Sequence, residues 1–262
     1  MEVENKLGLV VKGISFGYER NKELFKDIDF ELNKSEILAI LGRNGIGKTT
    51  FLKCLMGINK YNKGEIFVDG HKVSNLQEHG KTSYVAQNNK INFPYTFLDM
   101  VLMGRARDIG IFSLPSKKDK VDAMKALEQM GIAHLHNKIC TQASGGQLQL
   151  MYLARALVQK PEILILDEPE SFLDLKNQSE ILKLIVKLAK KEKICCIINT
   201  HNPANAMKAA DKVLLIGKDS NHNYGKTKEV LTEENISTYF NINAKIIDLE
   251  PYGISQYTMV EI

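Results

Sequence analysis

The chain has 262 residues, of which 44% are hydrophobic and 25% are charged, and its formal net charge is +4. Its length suffices for one large domain, or for one domain with a sizeable inserted lobe. No apolar run approaches the roughly 20 residues of a membrane-spanning helix, and the acids Glu2 and Glu4 near the start argue against a secretory signal. We therefore expect a cytoplasmic protein.

The cysteines and lysines do not point to a metal site or to nucleic acid. Cys54 and Cys140 stand alone, Cys195 and Cys196 are neighbours in an apolar run, and none has the C-x-x-C spacing of metal ligands. We interpret all four as small buried residues. The lysines are scattered along helical segments without interleaved aromatic residues, so we expect no nucleic-acid partner.

The first part of the chain predicts strands around one helix. The segments VKGISFGY and KDIDFELN alternate apolar and polar residues and predict two antiparallel strands. EILAIL predicts a short buried strand that ends in a glycine-rich turn. TTFLKCLMG then predicts a helix that stops at Gly57, a good C-terminal cap, and GEIFVDGHKV predicts a hairpin.

From about Asn88 to Ala156 the pattern becomes helical. TFLDMVLMGRAR and KDKVDAMKALEQMGIAHL have helical periodicity, with breaks at Pro94 and Pro115. PEILILDEPE, ICCIINTH and DKVLLI then predict buried strands, and NQSEILKLIVKLAKKEK predicts an amphipathic helix. Strands that alternate with helices predict a mostly parallel sheet covered on both faces. The tail from Lys226 predicts a helix followed by alternating strand-like segments.

The turn LGRNGIGKTT matches the G-x-x-x-x-G-K-[ST] pattern of a phosphate-binding loop. Its glycines let successive backbone N–H groups point at phosphate oxygens, and the following helix presents its positive end to the same charge. Lys48 can reach the β- and γ-phosphates, and the Thr49 hydroxyl can ligate Mg²⁺. The alternative is a chance match in an ordinary turn, which the strand before and the helix after the motif disfavour. The predicted nucleotide contacts are Gly42, Arg43, Asn44, Gly45, Ile46, Gly47, Lys48, Thr49 and Thr50.

A phosphate loop needs an acid on a neighbouring strand to hold the water shell of the metal, and ILILDEPE supplies one. Asp167 follows four apolar residues and is the predicted metal-holding carboxylate. Glu168 faces differently, so it can polarise a water molecule for attack on the γ-phosphate. Alone, such an acidic pair usually only marks the end of a strand. Together with the loop, it indicates a site that hydrolyses a nucleotide.

The stretch QASGGQLQLMYLARALVQKPEILILDEPESFLD resembles the signature, Walker B and D-loop block of ATP-binding cassette (ABC) ATPases. Three further residues resemble family motifs and occur in the family order. Tyr18 resembles the A-loop aromatic residue that stacks on adenine, Gln87 resembles the Q-loop glutamine, and His201 resembles the switch histidine. The resemblance runs from about residue 9 to residue 217. It implies ATP and Mg²⁺ as cofactors, Gln87 as a metal ligand near the attacking water, and His201 as a partner of the γ-phosphate. Standing alone, Tyr18 and His201 would each be interpreted as structural.

The same resemblance implies the fold class. We expect an α/β fold with a P-loop RecA-like core, a mostly parallel sheet, an antiparallel β-subdomain and an inserted helical subdomain. One nucleotide-binding domain would span residues 1–262. Residues 1–87 and 157–262 would form the core with the antiparallel strands and a C-terminal extension. Residues 88–156 would form the helical subdomain with the signature motif.

The stretch ASGGQ predicts a second phosphate-binding helix terminus, because Ser144, Gly145 and Gly146 open a helix. In ABC ATPases the signature of one subunit closes on the ATP held by the other. The resemblance therefore implies a second copy of the chain in a head-to-tail homodimer around two nucleotides. Gln147 belongs to the same predicted contact, and Asp174 would communicate across the dimer.

Four residues depart from the usual family pattern. Ala143 replaces a leucine and Leu148 stands where a basic residue is common; both changes leave the phosphate donors intact, so we expect activity. Glu170 replaces a threonine or serine, and no chemistry is assigned to it. Ile46 stands where smaller residues are more usual, and a side chain that points out of the loop would be tolerated there.

The segment after Gln87 resembles the importers for iron chelates, haem and cobalamin, and molybdate importers share its pattern. We therefore expect an ATP-hydrolysing importer subunit, peripheral on the inner face of the cell membrane. Its partners would be integral membrane permease subunits and, indirectly, an extracytoplasmic substrate-binding protein, which together choose the cargo. The alternative is a soluble ABC ATPase in metal-cofactor assembly of the Fe–S type. A DNA-maintenance or translation ATPase is disfavoured, because the chain has neither a long coiled coil nor two cassettes.

Overall fold

The computed structural model describes residues 7–19, 22–87, 91, 93–109, 113–171, 173–250 and 257–262. The strands are β1 (Leu7–Phe16), β2 (Phe25–Asn33), β3 (Ile37–Leu41), β4 (Lys63–Val68), β5 (His71–Val73), β6 (Thr82–Val85), β7 (Ile163–Asp167), β8 (Cys195–Asn199), β9 (Lys212–Ile216), β10 (His222–Lys226), β11 (Ala244–Asp248) and β12 (Tyr257–Glu261). The helices are α1 (Lys48–Leu55), α2 (Phe97–Leu102), α3 (Lys117–Gln129), α4 (Gly145–Leu157), α5 (Leu175–Glu192), α6 (Pro203–Ala209), α7 (Thr227–Val230) and α8 (Glu233–Phe240).

The larger sheet, within these described residues, has the strand order β10-β9-β3-β8-β7-β6. Neighbouring strands from β9 to β6 pair in parallel, and β10 pairs antiparallel with β9. Every residue of β3, β7 and β8 is buried, as expected for parallel strands with helices on both faces. Because their carboxyl ends meet at one edge, the loops that follow them are brought together there.

A second sheet, in the order β2-β1-β4-β5, is antiparallel and packs over α1, the helix that follows the phosphate loop. Phe25 and Phe30 of β2 contact Phe51 of α1 with ring centroids 5.2 Å and 6.2 Å apart. Such aromatic pairs contribute roughly 0.5–1.5 kcal/mol beyond the burial of their area. This packing fixes the helix whose first turn contains Lys48 and Thr49.

The helical segment before β7 begins its helices at capping boxes. Thr96 and Asp99 exchange hydrogen bonds at the start of α2, and Ser116 does the same with Asp119 at the start of α3. Both helices are shorter than their periodicity predicts. α2 gives way to a 3₁₀ turn at Met103–Arg105, and α3 ends before Gly131, whose φ of 71° is left-handed.

The tail contains a helix, α8, and a hairpin of β11 and β12, as its sequence pattern predicts. Apolar side chains from this region form a core cluster with α6, the helix that begins two residues after His201. Ala206 and Met207 of α6 pack there with Ile236 and Tyr239 of α8. The end of the chain therefore supports the segment that contains His201.

The α/β fold class expected from the sequence is confirmed, with its mostly parallel sheet, its antiparallel sheet and its block of helices. The four cysteines are buried free thiols, as interpreted. Burial raises the pKa of Cys54 to about 12 and that of Cys195 to about 12, which keeps both thiols protonated and inert. The division into residues 1–87 with 157–262 and residues 88–156 stays a prediction. In the described part of the chain, no helix has the length and apolar character required to span a bilayer.

Candidate nucleotide-binding site

Four adjacent parallel strands deliver the predicted site residues to one edge of the sheet. The phosphate loop follows β3, and Asp167 is the last residue of β7. Gln87 comes two residues after the end of β6, and His201 comes two residues after the end of β8. The crevice beyond the carboxyl ends of parallel strands is where α/β proteins bind ligands.

The loop needs its glycines for steric reasons. Gly42 has a φ of 151°, and a Cβ atom there would lie 2.3 Å from the carbonyl oxygen of Ile216 on β9. Gly47 has a φ of 109°, and a Cβ atom there would lie 2.8 Å from the side chain of Leu24. A larger residue at either position would both strain the backbone and push the loop off its neighbours.

Lys48 lies inside the loop and is only 5% exposed. Its Nζ donates hydrogen bonds to the carbonyl oxygens of Gly42, at 2.8 Å, and Arg43, at 3.1 Å. Burial lowers the pKa of Lys48, and the nearby carboxylates of Glu168 and Asp167 only partly offset this effect. A buried ammonium group with only carbonyl partners in the loop is suited to take an anion.

Asp167 is held by three donors from three different elements. Its Oδ1 accepts from Oγ1 of Thr49 at 3.3 Å and from Nδ2 of Asn199 at 2.5 Å, and its Oδ2 accepts from the Tyr84 hydroxyl at 3.1 Å. Burial and the Asp167 carboxylate both raise the pKa of Tyr84, so its hydroxyl stays a donor. Tyr84 and Asn199 could not be predicted from the sequence, since a single aromatic or amide residue in a strand belongs to no motif.

Glu168 meets Gln87 and His201 in front of the loop. Its Oε2 accepts from Nε2 of Gln87 at 2.5 Å and from the Ser171 hydroxyl at 2.7 Å, and it lies 3.7 Å from Nδ1 of His201. The Glu168 backbone has a left-handed φ of 49° and its N–H donates to the Asn199 carbonyl at 2.9 Å. A left-handed non-glycine residue costs roughly 1–2 kcal/mol, and such strain is concentrated at functional sites.

Tyr18 offers an open aromatic surface beside the loop. Its side chain is 73% exposed, its hydroxyl lies 3.1 Å from Oγ1 of Thr50, and its ring packs edge-on against Phe16 at 4.9 Å. One ring face is therefore free of the contact with Phe16. This is the geometry required to stack on a planar base.

The phosphate loop, Tyr18, Gln87, Glu168 and His201 line one cavity of about 420 Å³. The observed chemistry fits a magnesium nucleotide: a buried cation in a glycine loop, an open aromatic ring, and the oxygen atoms of Thr49, Gln87 and Asp167 for Mg²⁺. Among the described residues, no cluster of three or more His, Cys, Asp and Glu side chains could hold a metal alone. Phosphate and water oxygens would complete the coordination of Mg²⁺. The described lining residues are Tyr18, Leu24, Asn44, Gly45, Gly47, Lys48, Thr49, Thr50, Gln87, Glu168 and His201.

The signature segment lies at another helix start and does not line that cavity. Ser144 caps α4 in a capping box with Gln147, and Asp174 caps α5 by accepting from the Asn177 N–H at 2.8 Å. A Cβ atom on Gly146 would lie 3.6 Å from Asn177, so the starts of α4 and α5 are neighbours. Within one copy, the signature and Asp174 thus form a separate surface.

Three of the four departures from the family pattern pack against the apolar cores. Ile46 is half-buried and packs against the core beneath the antiparallel sheet, because an apolar branched side chain gains by leaving water. Ala143 and Leu148 pack partly against the helical core. This packing explains why the fold tolerates Ile46, Ala143 and Leu148 in place of the usual family residues.

Comparison with known proteins agrees with this geometry. The sequence profile described as ABC transporter matches residues 25–171. The chain is 38% identical to the molybdate import ATP-binding protein MolC of Haemophilus influenzae over 234 residues, which cover 89% of this chain and 88% of that protein.

Two solved structures share the fold at substantial identity. One, an inward-facing conformation of a metal-chelate type ABC transporter, matches with a TM-score of 0.88 and 35% identity over 98% of both chains. The other, cbiO1 of Clostridium perfringens, described as part of the ABC transporter complex cbiONQ, matches with a TM-score of 0.77 and 30% identity, covering 88% of this chain and 93% of that one. This chain belongs to the ABC transporter family and is one of its ATP-binding ATPases.

Proposed function

We propose that the chain is the ATP-hydrolysing subunit of an importer that takes up a metal chelate or a molybdate-like anion through a separate permease. The observation that carries the proposal is the meeting of Gln87, Glu168 and His201 in front of the glycine loop. The similarity to MolC and to a metal-chelate type transporter supports the cargo class.

Each side chain has a role that its geometry permits. The loop N–H groups and Lys48 bind the β- and γ-phosphates, and Tyr18 stacks on adenine. Asp167 and Thr49, with Gln87, orient Mg²⁺, which when bound neutralises phosphate charge. Glu168 accepts a proton from the attacking water, and His201 bonds the γ-phosphate.

A second copy of the chain completes each site. The start of α4, with Ser144, Gly145 and Gly146, is an anion-binding helix terminus that does not line the cavity of its own copy. A head-to-tail dimer brings it to the γ-phosphate held by the other copy, with Gln147 and Asp174 at the same contact. ATP then favours the closed dimer, and hydrolysis reopens it.

The permease docks on an apolar groove of the helical segment. Tyr95, Leu102, Met103 and Pro115 line this groove, and the side chain of Leu114 near its rim is 90% exposed. Exposed apolar clusters of this kind mark interaction sites. This contact would locate the chain on the inner face of the membrane, with the substrate-binding protein reached only through the permease.

The experiment is a mild-detergent pull-down of the tagged chain from its native membranes, followed by mass spectrometry. A polytopic membrane protein in near-equal amount supports the importer, and Leu114→Asp should reduce its recovery without changing MgATP binding. Val121→Asp is the matched control: Val121 is also an exposed apolar residue, but neither of its sequence neighbours lines the groove, whereas both neighbours of Leu114 do. Recovery of soluble partners alone would instead favour the cofactor-assembly ATPase.

A further inference from the structure

Glu170 is a buried carboxyl group that has no role in nucleotide binding or in attack on the γ-phosphate as proposed. It lies two residues after Glu168 and is 2% exposed. Among the described residues, Asp167 is the only other buried carboxylate. Buried carboxylates are costly unless they are hydrogen-bonded, so the partners of Glu170 indicate what it does.

Those partners lie on both sides of His201. Oε1 of Glu170 accepts from the Thr200 hydroxyl, with a short contact, and from Nδ2 of Asn205 at 3.4 Å. The Thr200 hydroxyl in turn accepts from the backbone N–H of Asn202 at 3.1 Å. The single hydroxyl hydrogen of Thr200 is donated in the hydrogen bond to Glu170. The lone pairs of the Thr200 oxygen are therefore the groups that accept from Asn202. Glu170 thereby orders the residues immediately before and after His201.

The imidazole of His201 needs such support. Its side chain is 50% exposed, and its Nδ1 lies 3.7 Å from Oε2 of Glu168, which is beyond hydrogen-bond distance. The position of the ring therefore depends on the backbone that carries it. That backbone is anchored through Thr200 and through the start of α6, where the Asn202 side chain accepts from the Ala204 N–H at 2.9 Å.

The second oxygen of Glu170 supports a positioning role over a purely stabilising one. Oε2 has no hydrogen-bond partner among the described residues. A buried carboxyl group with one oxygen unpaired is a poor source of stability. The contribution of Glu170 is therefore to orient the donors that its Oε1 accepts from.

We propose that Glu170 is a positioning residue that fixes His201 relative to Glu168 by holding Thr200 and Asn205. The inference rests on the proposed function, because it needs His201 to act in hydrolysis. A catalytic group that is displaced from its productive position lowers turnover without removing substrate binding.

The test measures ATP turnover and nucleotide affinity in matched variants. Glu170→Met should lower kcat about 10-fold and leave the ATP affinity within about 2-fold. Glu170→Gln keeps the Oε1 acceptor and should restore most of kcat. Thr200→Val should reproduce the loss from the donor side, and Thr200→Ser should rescue it. The Thr200 pair tests the same bond if Glu170→Met does not fold.

The variants are then repeated in a His201→Ala background. If Glu170 acts through His201, Glu170→Met causes no further loss there. An equal loss in both backgrounds, or an unchanged kcat in Glu170→Met alone, overturns the inference. A His201→Ala protein with full turnover would instead refute the role of His201 in the proposed function, which is a separate failure.

Discussion

The hydroxyl of Tyr84 donates a 3.1 Å hydrogen bond to Oδ2 of Asp167, across 83 residues of sequence. Tyr84 pairs with Ile165 in the β6–β7 register. Asp167 lies two residues further along β7 and therefore on the same face of the sheet as Ile165. The strand that leads to Gln87 is thus bonded directly to the predicted metal-holding carboxylate.

We expect Tyr84→Phe to weaken the use of Mg²⁺ specifically. The change removes one of the donors that orient Asp167, and loss of such an outer partner typically reduces metal affinity about 10–100-fold. The Mg²⁺ concentration for half-maximal ATPase activity should rise, while the affinity for metal-free nucleotide stays unchanged. The control is Tyr61→Phe, whose hydroxyl bonds the Ser74 carbonyl away from the site. An unaltered Mg²⁺ dependence in Tyr84→Phe would remove Tyr84 from this role.

Strongly patterned segments could be predicted from the sequence. The continuous apolar runs of β3, β7 and β8 predict buried parallel strands, and their burial is complete. Gly57, with a left-handed φ of 74°, follows the end of α1 as its position predicts. Segments without such a pattern were missed. β6 (TSYV), β10 (HNYGK) and α6 (PANAMKA) are too short or too polar to show a period.

The contacts that complete the site could not be predicted, for a physical reason. Tyr84 and Asn199 reach Asp167 only because β6 and β8 flank β7, and strand order is a tertiary property that the local pattern does not contain. The bond from Thr200 to Glu170 likewise joins residues 30 positions apart. The motif residues could be located because their spacing encodes the chemistry directly.

Glu168→Gln should bind ATP but hydrolyse it about 10²–10⁴-fold more slowly, since the amide cannot accept a proton from water. The stalled protein should also accumulate as an ATP-bound dimer on size-exclusion chromatography. The matched control is Glu162→Gln at the other end of β7, where the carboxylate pairs with Lys81 at 2.6 Å. Turnover at the wild-type rate in Glu168→Gln would exclude it as the general base.

Lys48→Met should abolish ATP binding and yet stabilise the nucleotide-free protein. Burial lowers the pKa of Lys48 below the 10.5 of an exposed lysine. At pH values between the folded-state pKa and the unfolded-state pKa, the folded protein binds fewer protons than the unfolded chain. The free energy of unfolding therefore rises with pH in this range. At pH values below both pKa values, Lys48 is charged in both states and its full burial cost is present.

Replacing Lys48 by an apolar side chain removes this cost and should raise the Tm by about 2–4 °C at pH values where Lys48 is charged in both states, the shift expected for about 1 kcal/mol in a chain of this size. The measurement is thermal unfolding at several pH values without nucleotide. Lys53→Met serves as the control because Lys53 is an exposed lysine on the same helix. A lower Tm in Lys48→Met would mean that its bonds to Gly42 and Arg43 outweigh its burial.

Mixing two inactive variants should restore hydrolysis if the signature acts on the other copy. Lys48→Ala removes the phosphate contact and Ser144→Arg blocks the start of α4, so neither variant homodimer contains a complete site. A mixed dimer has one intact site, made by the loop of the Ser144→Arg chain and the signature of the Lys48→Ala chain. The mixture should reach at most about a quarter of the wild-type rate, since half of the dimers are mixed and each has one complete site.

The control is a mixture of Lys48→Ala with the double variant Lys48→Ala/Ser144→Arg, in which no combination contains an intact loop. It should stay inactive at every ratio, whereas the complementing pair should be most active at equal amounts. A signature that served the nucleotide of its own copy would give no gain in either mixture, because every chain would then contain a defect in its only site. That result would contradict the head-to-tail dimer while leaving the contacts around Asp167 and Glu168 unaffected.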